Sequence, residues 1–524
     1  MRAWLFPTAL WLALFAPACQ RRAPQPDAPS SLLVGRAADA IGLDPARVTD
    51  AESVEVSEQI FEHLVRLDRR GDIEPALAER WDSLADGKEW IFHLRKGVRF
   101  HDGNPVDADA VVFSFERQRD TKHPFHCSDF EFESLFNNIV RIEKVGPLDV
   151  RILIEEPYAP FLANLATFPM SIVSPRSVEQ WGNDFRSHPV GSGPFRFVEW
   201  APGERITLEA NPDYWGGAPR LQHIAFVPVP NPRQRLVSLE GGAIDVAENL
   251  APQDLQFLAL HPDLRTERVP GHNVGYLAMN TQRPPFDDVR VRRAIAAGIN
   301  KEAIVKLVYQ GLGVEATGPL APSMWGHVDL PPVPYNPTEA RRLLAEAGWK
   351  GTGPGGKKPR LFVPSTPRTY LPSPERVAQM IAQNLHDVGM DVDVVALDMP
   401  EHLRATAAGE HDLCLIGWTG DNGDPDNFLY TLFHSDNTQP GIARNLAFLK
   451  DRELDGILRW AQESPDKAQR LQLYERAQRI IADRVPWVPL AHSQLVVARR
   501  RTVHGLWLPP TSTLYFHHVA VEGQ

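Results

Sequence analysis

The sequence predicts an α/β fold, and three observations support that prediction. Strand and helix patterns alternate from about residue 358 to 420, which is typical of parallel strands covered by helices. A chain of 524 residues is too long for one hydrophobic core, so we expect two or three packed regions. Hydrophobic residues make up 43% and charged residues 23%, as in an ordinary soluble globular protein.

Each element of this alternating section has its own signal. Apolar runs at residues 360–363 and 412–418 predict a first and a third strand. Ser373-Pro374 provides an N-cap and a proline at the first helical position. Four apolar residues then recur at helical spacing: Val377, Ile381, Leu385 and Val388. Asp and Val alternate at residues 391–394 in a second strand, and residues 400–408 form a short helix.

Two loops follow the first and third of these strands. Residues 364–372 contain Arg368 and Tyr370, and residues 417–426 contain Asp421 and further aspartates. Ligands of open α/β sheets bind beyond the carboxyl ends of the strands. Since one loop offers a guanidinium and the other offers carboxylates, the sequence predicts a binding site at this edge of the sheet.

The patterns outside this section are shorter. Alternating apolar and polar residues at 90–95, 150–154 and 205–208 predict half-buried strands, and residues 495–497 predict another near the end. A helix is expected after Ser464-Pro465. Its predicted buried face consists of Ala468, Leu471, Tyr474, Ala477 and Ile481.

Residues 1–18 have the pattern of a secretory signal peptide. Arg2 precedes an almost uninterrupted apolar run at residues 3–15, and Ala16-Pro17-Ala18 follows. The run is too short to span a bilayer and ends in an Ala-x-Ala sequence. A buried core helix is the alternative, but prolines such as Pro7 break the helical pattern.

Cys19, directly after this segment, raises the question of lipidation. Lipoprotein processing and ordinary cleavage after Ala18 would cut the same bond, so the cleavage position does not separate them. We expect lipid on Cys19, because a free thiol at a mature N-terminus has no other evident use. Residues 19–30 are polar and rich in proline, which is typical of a tether between membrane and domain. Cys127 and Cys414 form no disulfide framework, and Cys414 is expected to be buried in an apolar run.

Charge and motif spacing argue against several other functions. The net charge is −11 with both signs interspersed, so no basic face for a nucleic acid is predicted. Residues 351–358 approach a phosphate-binding P-loop but lack its Ser or Thr, and residues 421–426 lack calcium-loop spacing. Residues 191–194 are not a Gly-x-Ser-x-Gly elbow. We therefore predict no catalytic residue, no metal site and no cofactor.

Several motifs together resemble those of the family 5 extracellular solute-binding proteins. They are residues 75–81 (PALAERW), 94–103 (LRKGVRFHDG), 109–114 (DAVVFS), 189–195 (PVGSGPF), 211–215 (NPDYW), 335–337 (YNP) and 343–348 (LLAEAG). The resemblance extends over about residues 31–510, in the family's order. Residues 417–428 and 367–370 look most like the dipeptide-binding branch, with Thr369 in place of a proline.

The resemblance implies a two-lobed, periplasmic binding protein-like fold with a hinge cleft. Its first domain would be discontinuous, with an inserted subdomain and then a second lobe. The expected first-domain segments are 31–57, 190–277 and 492–524, the insertion is 58–189, and the second lobe is 278–491. Such a protein is not an enzyme. It is expected to act outside the cytoplasm as a monomer, to close over a short peptide and to dock on the membrane permease of an ATP-driven importer.

The resemblance also implies the roles of two charged residues. In the dipeptide-binding branch, the arginine that matches Arg368 holds the peptide carboxylate, and the aspartate that matches Asp421 holds the α-ammonium. Arg clamps a carboxylate with two parallel hydrogen bonds, which Lys does not. The alternative is that both side chains pair with other groups of the protein. Further candidate ligand-binding residues are Tyr370, Trp418, Thr419 and Gly420. The two aromatic ones are either cleft walls or core residues.

Two other functions stay open at this stage. The same fold could bind a different solute, such as a longer oligopeptide, glutathione, haem or a nickel complex. Alternatively, a periplasmic chaperone or sensor could hold peptides in the same cleft without transport. Dipeptide capture is the preferred interpretation, because it uses both the guanidinium and the carboxylate.

Overall fold

The computed structural model describes residues 30–522 except 131 and 259. The predicted signal peptide (1–18), Cys19 and nearly all of the predicted tether (19–30) lie outside the described residues. Within the described part, no helix is long and apolar enough to cross a bilayer.

Strands and helices alternate along the described residues, with short 3₁₀-helical turns between several of them. The strands are β1 (Ser31–Arg36), β2 (Val65–Leu67), β3 (Ile73–Pro75), β4 (Ala78–Leu84), β5 (Glu89–Leu94), β6 (Ile139–Gly146), β7 (Asp149–Ile154), β8 (Phe195–Ala201), β9 (Arg205–Ala210), β10 (His223–Pro228), β11 (Val246–Glu248), β12 (Leu264–Pro270), β13 (Asn273–Met279), β14 (Gly313–Glu315), β15 (Arg360–Pro364), β16 (Asp393–Leu397), β17 (Leu413–Thr419), β18 (Trp487–Arg500), β19 (Val503–His504) and β20 (Ala520–Val521).

The helices follow the same chain order. They are α1 (Ala51–Ile60), α2 (Ala108–Arg119), α3 (Phe161–Leu165), α4 (Pro175–Trp181), α5 (Pro232–Glu240), α6 (Leu255–Leu258), α7 (Val289–Gly298), α8 (Lys301–Ile304), α9 (Pro337–Glu346), α10 (Pro374–Asp387), α11 (Met399–Ala407), α12 (Asp426–Phe433), α13 (Arg452–Glu463) and α14 (Lys467–Arg484).

A mixed sheet of 12 strands runs through the molecule, in the order β16-β15-β17-β13-β18-β11-β1-β10-β9-β8, with β12 and β14 also paired to β18. Strand β18 joins its two halves. The first residues of β18 pair with β13 and β14, and the last ones pair with β11 and β12. The expected domain boundaries after residues 277 and 491 fall inside β13 and β18. The division of the chain into segments stays a prediction.

The predicted layer of parallel strands is present. Strand β15 pairs in parallel with β16 on one side and with β17 on the other, and α10 and α11 connect them. Strand β16 begins later than the Asp-Val alternation predicts, and Val394 is exposed. This exposure follows from the position of β16 at the edge of the sheet.

Two hydrophobic cores cover the two faces of this layer. Alternate residues of β13 point to opposite faces, as in any strand. Leu277 and Met279 join one core with α7, α9 and α10. Tyr276 and Ala278 join the other with α12, α13 and α14. Burial on both faces explains why every residue of β13 is buried. We call residues 274–491 the α/β layer.

Residues 64–172 have a core of their own, and we call them the inserted region. Their sheet is antiparallel, in the order β4-β5-β7-β6. The predicted strands at 90–95 and 150–154 are confirmed as β5 and β7, and the one at 205–208 as β9. Further cores hold β1, β8, β9, β10 and β11.

The predicted details of α14 were partly wrong. Ser464 ends α13, and Asp466 is the N-cap of α14, with its carboxylate accepting the N–H of Ala468. Ala468 and Leu471 are exposed. The buried residues of α14 are Arg470, Leu473, Tyr474, Ala477, Gln478 and Ile481. The buried face is rotated relative to the prediction because two polar side chains, Arg470 and Gln478, have hydrogen-bond partners inside the protein.

The remaining predictions concern single segments. Residues 495–497 form part of a longer strand, β18. Cys414 is buried in β17 as predicted, and this burial raises the pKa of its thiol. Cys127 is half-buried, and neither cysteine forms a disulfide. The glycine-rich segment 351–358 leads directly into β15, as expected for a surface loop.

Candidate ligand-binding site

The two loops singled out in the sequence lie at one edge of the sheet. Strands β15 and β17 are parallel neighbours, with Leu361 opposite Leu413 and Phe362 opposite Cys414. Their carboxyl ends therefore face the same way. We call residues 365–373, after β15, the arginine loop. Residues 420–426, after β17, are called the aspartate loop.

Tyr370 packs the arginine loop against β17, the strand that leads into the aspartate loop. A Cβ atom on Gly417 would collide with the Tyr370 ring, so the ring lies directly on the backbone of β17. The hydroxyl of Tyr309 donates a hydrogen bond of 2.7 Å to the Tyr370 carbonyl. Glycine is needed at position 417 because any side chain there would displace Tyr370 and, with it, the arginine loop. The Tyr370 side chain thus packs against a hydrophobic core and is also partly exposed at the arginine loop.

Asp421 is accessible to solvent, yet it is surrounded by protein. Burial raises the pKa of its carboxyl group from 3.8 to about 6. Among the described residues, no hydrogen-bond or ion-pair partner for this carboxylate is found, and no neighbouring charge contributes to the pKa shift. An accessible carboxylate without a partner, whose ionised form the surrounding protein disfavours, would be stabilised by a cation.

Arg368 presents the opposite charge on the neighbouring loop. Its backbone N–H and carbonyl pair with those of Leu371 at 3.1 and 2.9 Å, which closes a tight turn. The guanidinium is exposed and interacts with the Tyr370 hydroxyl. No carboxylate among the described residues lies within ion-pair distance of Arg368. The structure therefore brings Arg368 and Asp421 to one edge without pairing either of them to another charged group of the described chain.

Trp418, Thr419 and Gly420 form the end of β17 and the start of the aspartate loop. The Trp418 indole N–H donates to the Asn427 side-chain oxygen at 2.8 Å, and the ring is half-buried against a core. Thr419 pairs with Asn273 of β13. The Gly420 N–H donates to the His272 carbonyl at 2.8 Å. These contacts fix the backbone that carries Asp421.

The residues that hold the aspartate loop on the side of α14 were not predicted from the sequence. Asp424 accepts a hydrogen bond of 2.6 Å from Arg470 of α14, and both side chains are buried. Asp426, two residues further on, is also buried, and this burial, together with the Asp424 charge, raises its pKa to about 7. The sequence suggested the repeated aspartates as carboxylates of the binding loop and, by spacing, excluded them as calcium ligands, but it gave no partner inside the protein for Asp424. The ion pair with Arg470 was not predictable, because the helical pattern placed that residue on the exposed side.

Comparison with known proteins assigns the family. The sequence model of the bacterial extracellular solute-binding proteins, family 5 (middle), matches residues 72–440. The chain belongs to this family. The resemblance noted in the motifs is thereby confirmed. By their description, family 5 proteins are extracellular solute-binding proteins.

Individual family 5 members match nearly the whole chain. Di/tripeptide-binding protein 2 of Pseudomonas aeruginosa is 35% identical over 525 residues, covering 94% of this chain and 95% of that protein. Heme-binding protein A of Haemophilus influenzae is 34% identical over 507 residues, covering 92% and 91%. The crystal structure of a dipeptide-binding protein from a Pseudoalteromonas species in complex with Met-Leu superimposes with a TM-score of 0.84 at 28% identity, covering 94% and 100%. The two-lobed α/β fold implied by the motifs is thus confirmed.

Proposed function

We propose that this family 5 protein captures short peptides, with a preference for dipeptides, and delivers them to an ATP-driven importer. The observation that carries the proposal is the unpartnered Asp421 carboxylate on the loop next to Arg368. The names of the relatives, which include di/tripeptide- and dipeptide-binding proteins, support it.

The charges of a dipeptide match this arrangement. Its α-ammonium would pair with Asp421, which removes the cost of holding a desolvated carboxylate without a partner. Its α-carboxylate would accept two parallel hydrogen bonds from Arg368. A peptide with a blocked end would leave one of these charges unpaired, so it would bind much more weakly. Tyr370 and Trp418 would form walls beside the ligand, and Thr419 and Gly420 would offer backbone groups.

Binding alone is proposed, without a chemical step or a cofactor. The peptide would favour a closed arrangement of the lobes by population shift. The closed form would then dock, as a monomer, on a membrane permease. The separate core of residues 64–172 supports an inserted subdomain, which is expected at 58–189, while Val173, Val178 and Phe185 pack in the core that holds β1. The cores before and after it support the expected discontinuous first domain.

The proposed location is outside the cytoplasm, with a lipid on Cys19 as anchor. The family description, which names extracellular solute-binding proteins, and the apolar N-terminal pattern support this location. Mass spectrometry of the N-terminal fragment of the membrane-extracted protein tests the anchor. Acyl chains on Cys19 are expected, and an unmodified Cys19 would contradict the anchor without affecting the proposed ligand.

Calorimetric titration of the purified protein tests the proposed ligand. Co-purified ligand is first removed by unfolding and refolding. The panel consists of a dipeptide, a tripeptide, glutathione, haem and a nickel–histidine complex. We expect the dipeptide to bind with a Kd of about 1 μM, which corresponds to about −8 kcal/mol. Haem is the sharpest competitor, because a haem-binding relative is as similar to this chain as the peptide-binding ones. Haem binding without dipeptide binding would overturn the proposal.

A further inference from the structure

A chain of hydrogen bonds connects the inserted region to the aspartate loop. The side-chain amide of Asn422 donates to the side-chain oxygen of Asn164 at 2.6 Å. Asn164 in turn donates to the Tyr158 hydroxyl at 3.1 Å, and that hydroxyl donates to Asp426 at 3.3 Å. Gln462 completes the chain by donating to the same Asp426 oxygen at 3.1 Å.

A backbone hydrogen bond reinforces this chain. The Ala159 N–H of the inserted region donates to the Gln462 carbonyl of α13 at 2.6 Å. Two segments of the α/β layer, the aspartate loop and the end of α13, are therefore held by one short stretch, residues 158–164. The side-chain hydrogen bonds of this contact join residues 258 and 268 positions apart, so the contact is purely tertiary.

Both sides of this contact are anchored in their own parts of the molecule. On the inserted side, Phe161 and Leu165 of α3 are buried in the core of the inserted region, and Phe161 lies 5.4 Å from the Trp90 ring. On the other side, the Asn422 side-chain oxygen accepts the Asp424 N–H at 3.0 Å, and Asp424 pairs with Arg470. The side-chain oxygen of Asn422 thus bonds within the aspartate loop, and its side-chain NH2 group bonds to the inserted region.

A cavity of about 900 Å³ lies beside this contact and limits its area on that side. The inserted region lines one side of the cavity, through residues such as Trp90 and Leu162, and the α/β layer lines the other, through Trp325 and Lys467. Along this cavity, the two surfaces are therefore separated by open space. A few hydrogen bonds between polar groups can break and re-form, unlike an extended apolar interface.

We propose that Asn164 and Tyr158 form a clamp that holds the aspartate loop and so positions Asp421 for its ligand. Asn422, which donates the hydrogen bond to Asn164, directly follows Asp421 in the chain. The clamp residues belong to a different part of the molecule from both Asp421 and Arg368. They therefore determine affinity without contacting the proposed peptide. This inference rests on the proposed function for its affinity readout, but the contact itself can be measured without any ligand.

Loss of the clamp is expected to lower peptide affinity by reducing the population of the binding-competent arrangement. The apparent Kd rises in inverse proportion to the fraction of molecules that keep that arrangement. We expect Asn164→Ala to weaken dipeptide binding about fivefold, and the double variant Asn164→Ala/Tyr158→Phe about tenfold.

Matched control variants remove the same groups from contacts within one part of the molecule. Asn138→Ala removes an amide that bonds only to Glu156 inside the inserted region. Tyr430→Phe removes a hydroxyl that bonds Asp436 and Arg459 inside the α/β layer. Both controls are expected to bind the dipeptide as the wild type does. Thermal unfolding of every variant shows whether it is folded.

Hydrogen exchange of the ligand-free protein measures the clamp directly. The fragment that contains the Ala159 amide is expected to be protected in the wild type and in both controls, and to exchange faster in the double variant. Unchanged exchange and unchanged affinity in the folded double variant would overturn the clamp, as would a wild-type fragment without protection. If no peptide binds the wild type, the proposed function fails, and the exchange data alone decide whether the contact forms.

Discussion

Replacing Asp421 with asparagine is expected to weaken dipeptide binding about 100-fold, which corresponds to roughly 3 kcal/mol. Asparagine has nearly the same shape as aspartate, so the aspartate loop should keep its conformation. The substitution removes the charge that the α-ammonium needs and offers no compensating partner. Isothermal titration calorimetry with one dipeptide, at constant ionic strength, measures the loss.

A matched control replaces an aspartate that is remote from the aspartate loop. Asp393 is exposed at the start of β16, at the edge of the sheet. Asp393→Asn is expected to bind the dipeptide with wild-type affinity. If Asp421→Asn binds as tightly as this control, the assignment of Asp421 to the peptide ammonium is wrong.

Because the pKa of Asp421 is raised, the affinity for the dipeptide is expected to depend on pH. The group must be ionised to bind an ammonium, and its pKa in the free protein is raised to about 6. Lowering the pH through this value protonates the carboxyl group, and binding must then release that proton. Affinity is expected to fall about tenfold from pH 7 to about pH 5 in the wild type. In Asp421→Asn this dependence should disappear, because asparagine does not titrate.

Truncation of Arg368 is the second change with a large expected effect. Arg368→Ala is expected to weaken dipeptide binding about 100-fold, because the peptide carboxylate loses its bidentate partner inside the cleft. Arg368→Lys keeps the charge but loses the planar pair of donors, so a loss of about tenfold is expected. Calorimetry under the same conditions separates the two variants.

Arg376 provides the control for a general loss of positive charge. It lies on the exposed face of α10, shortly after the arginine loop. Arg376→Ala should bind the dipeptide as the wild type does. Equal affinities of Arg368→Ala and Arg376→Ala would show that Arg368 does not hold the carboxylate. An Arg368→Lys variant as tight as wild type would show that charge alone is required.

The periodic part of the structure was predictable from the sequence, because burial leaves a local pattern. The apolar runs of β15 and β17 and the helical spacing in α10 identified a parallel layer. The rule that ligands bind beyond the carboxyl ends of strands then placed both loops at one edge. The neighbourhood of Arg368 and Asp421 followed from this argument. The roles of the two side chains came only from the family resemblance.

Contacts between distant segments left no such pattern. Asn164 lies in the short helix α3 and Asn422 in the aspartate loop, and nothing in their local sequence indicates that they meet. Arg470 occupies a buried position of α14 that apolar periodicity assigned to the solvent side. A buried polar residue with a partner elsewhere in the chain cannot be found by counting apolar positions. Such residues hold the aspartate loop in place.

Pairing between the peptide ammonium and Asp421 is the central claim, and a thermodynamic cycle tests it most directly. Wild type and Asp421→Asn are each titrated with a dipeptide and with its N-acetylated form. If the two charges meet, acetylation weakens binding to the wild type about 100-fold and has little effect on the variant. Equal losses on acetylation in both proteins would mean that the ammonium binds elsewhere, and the claim would then be wrong.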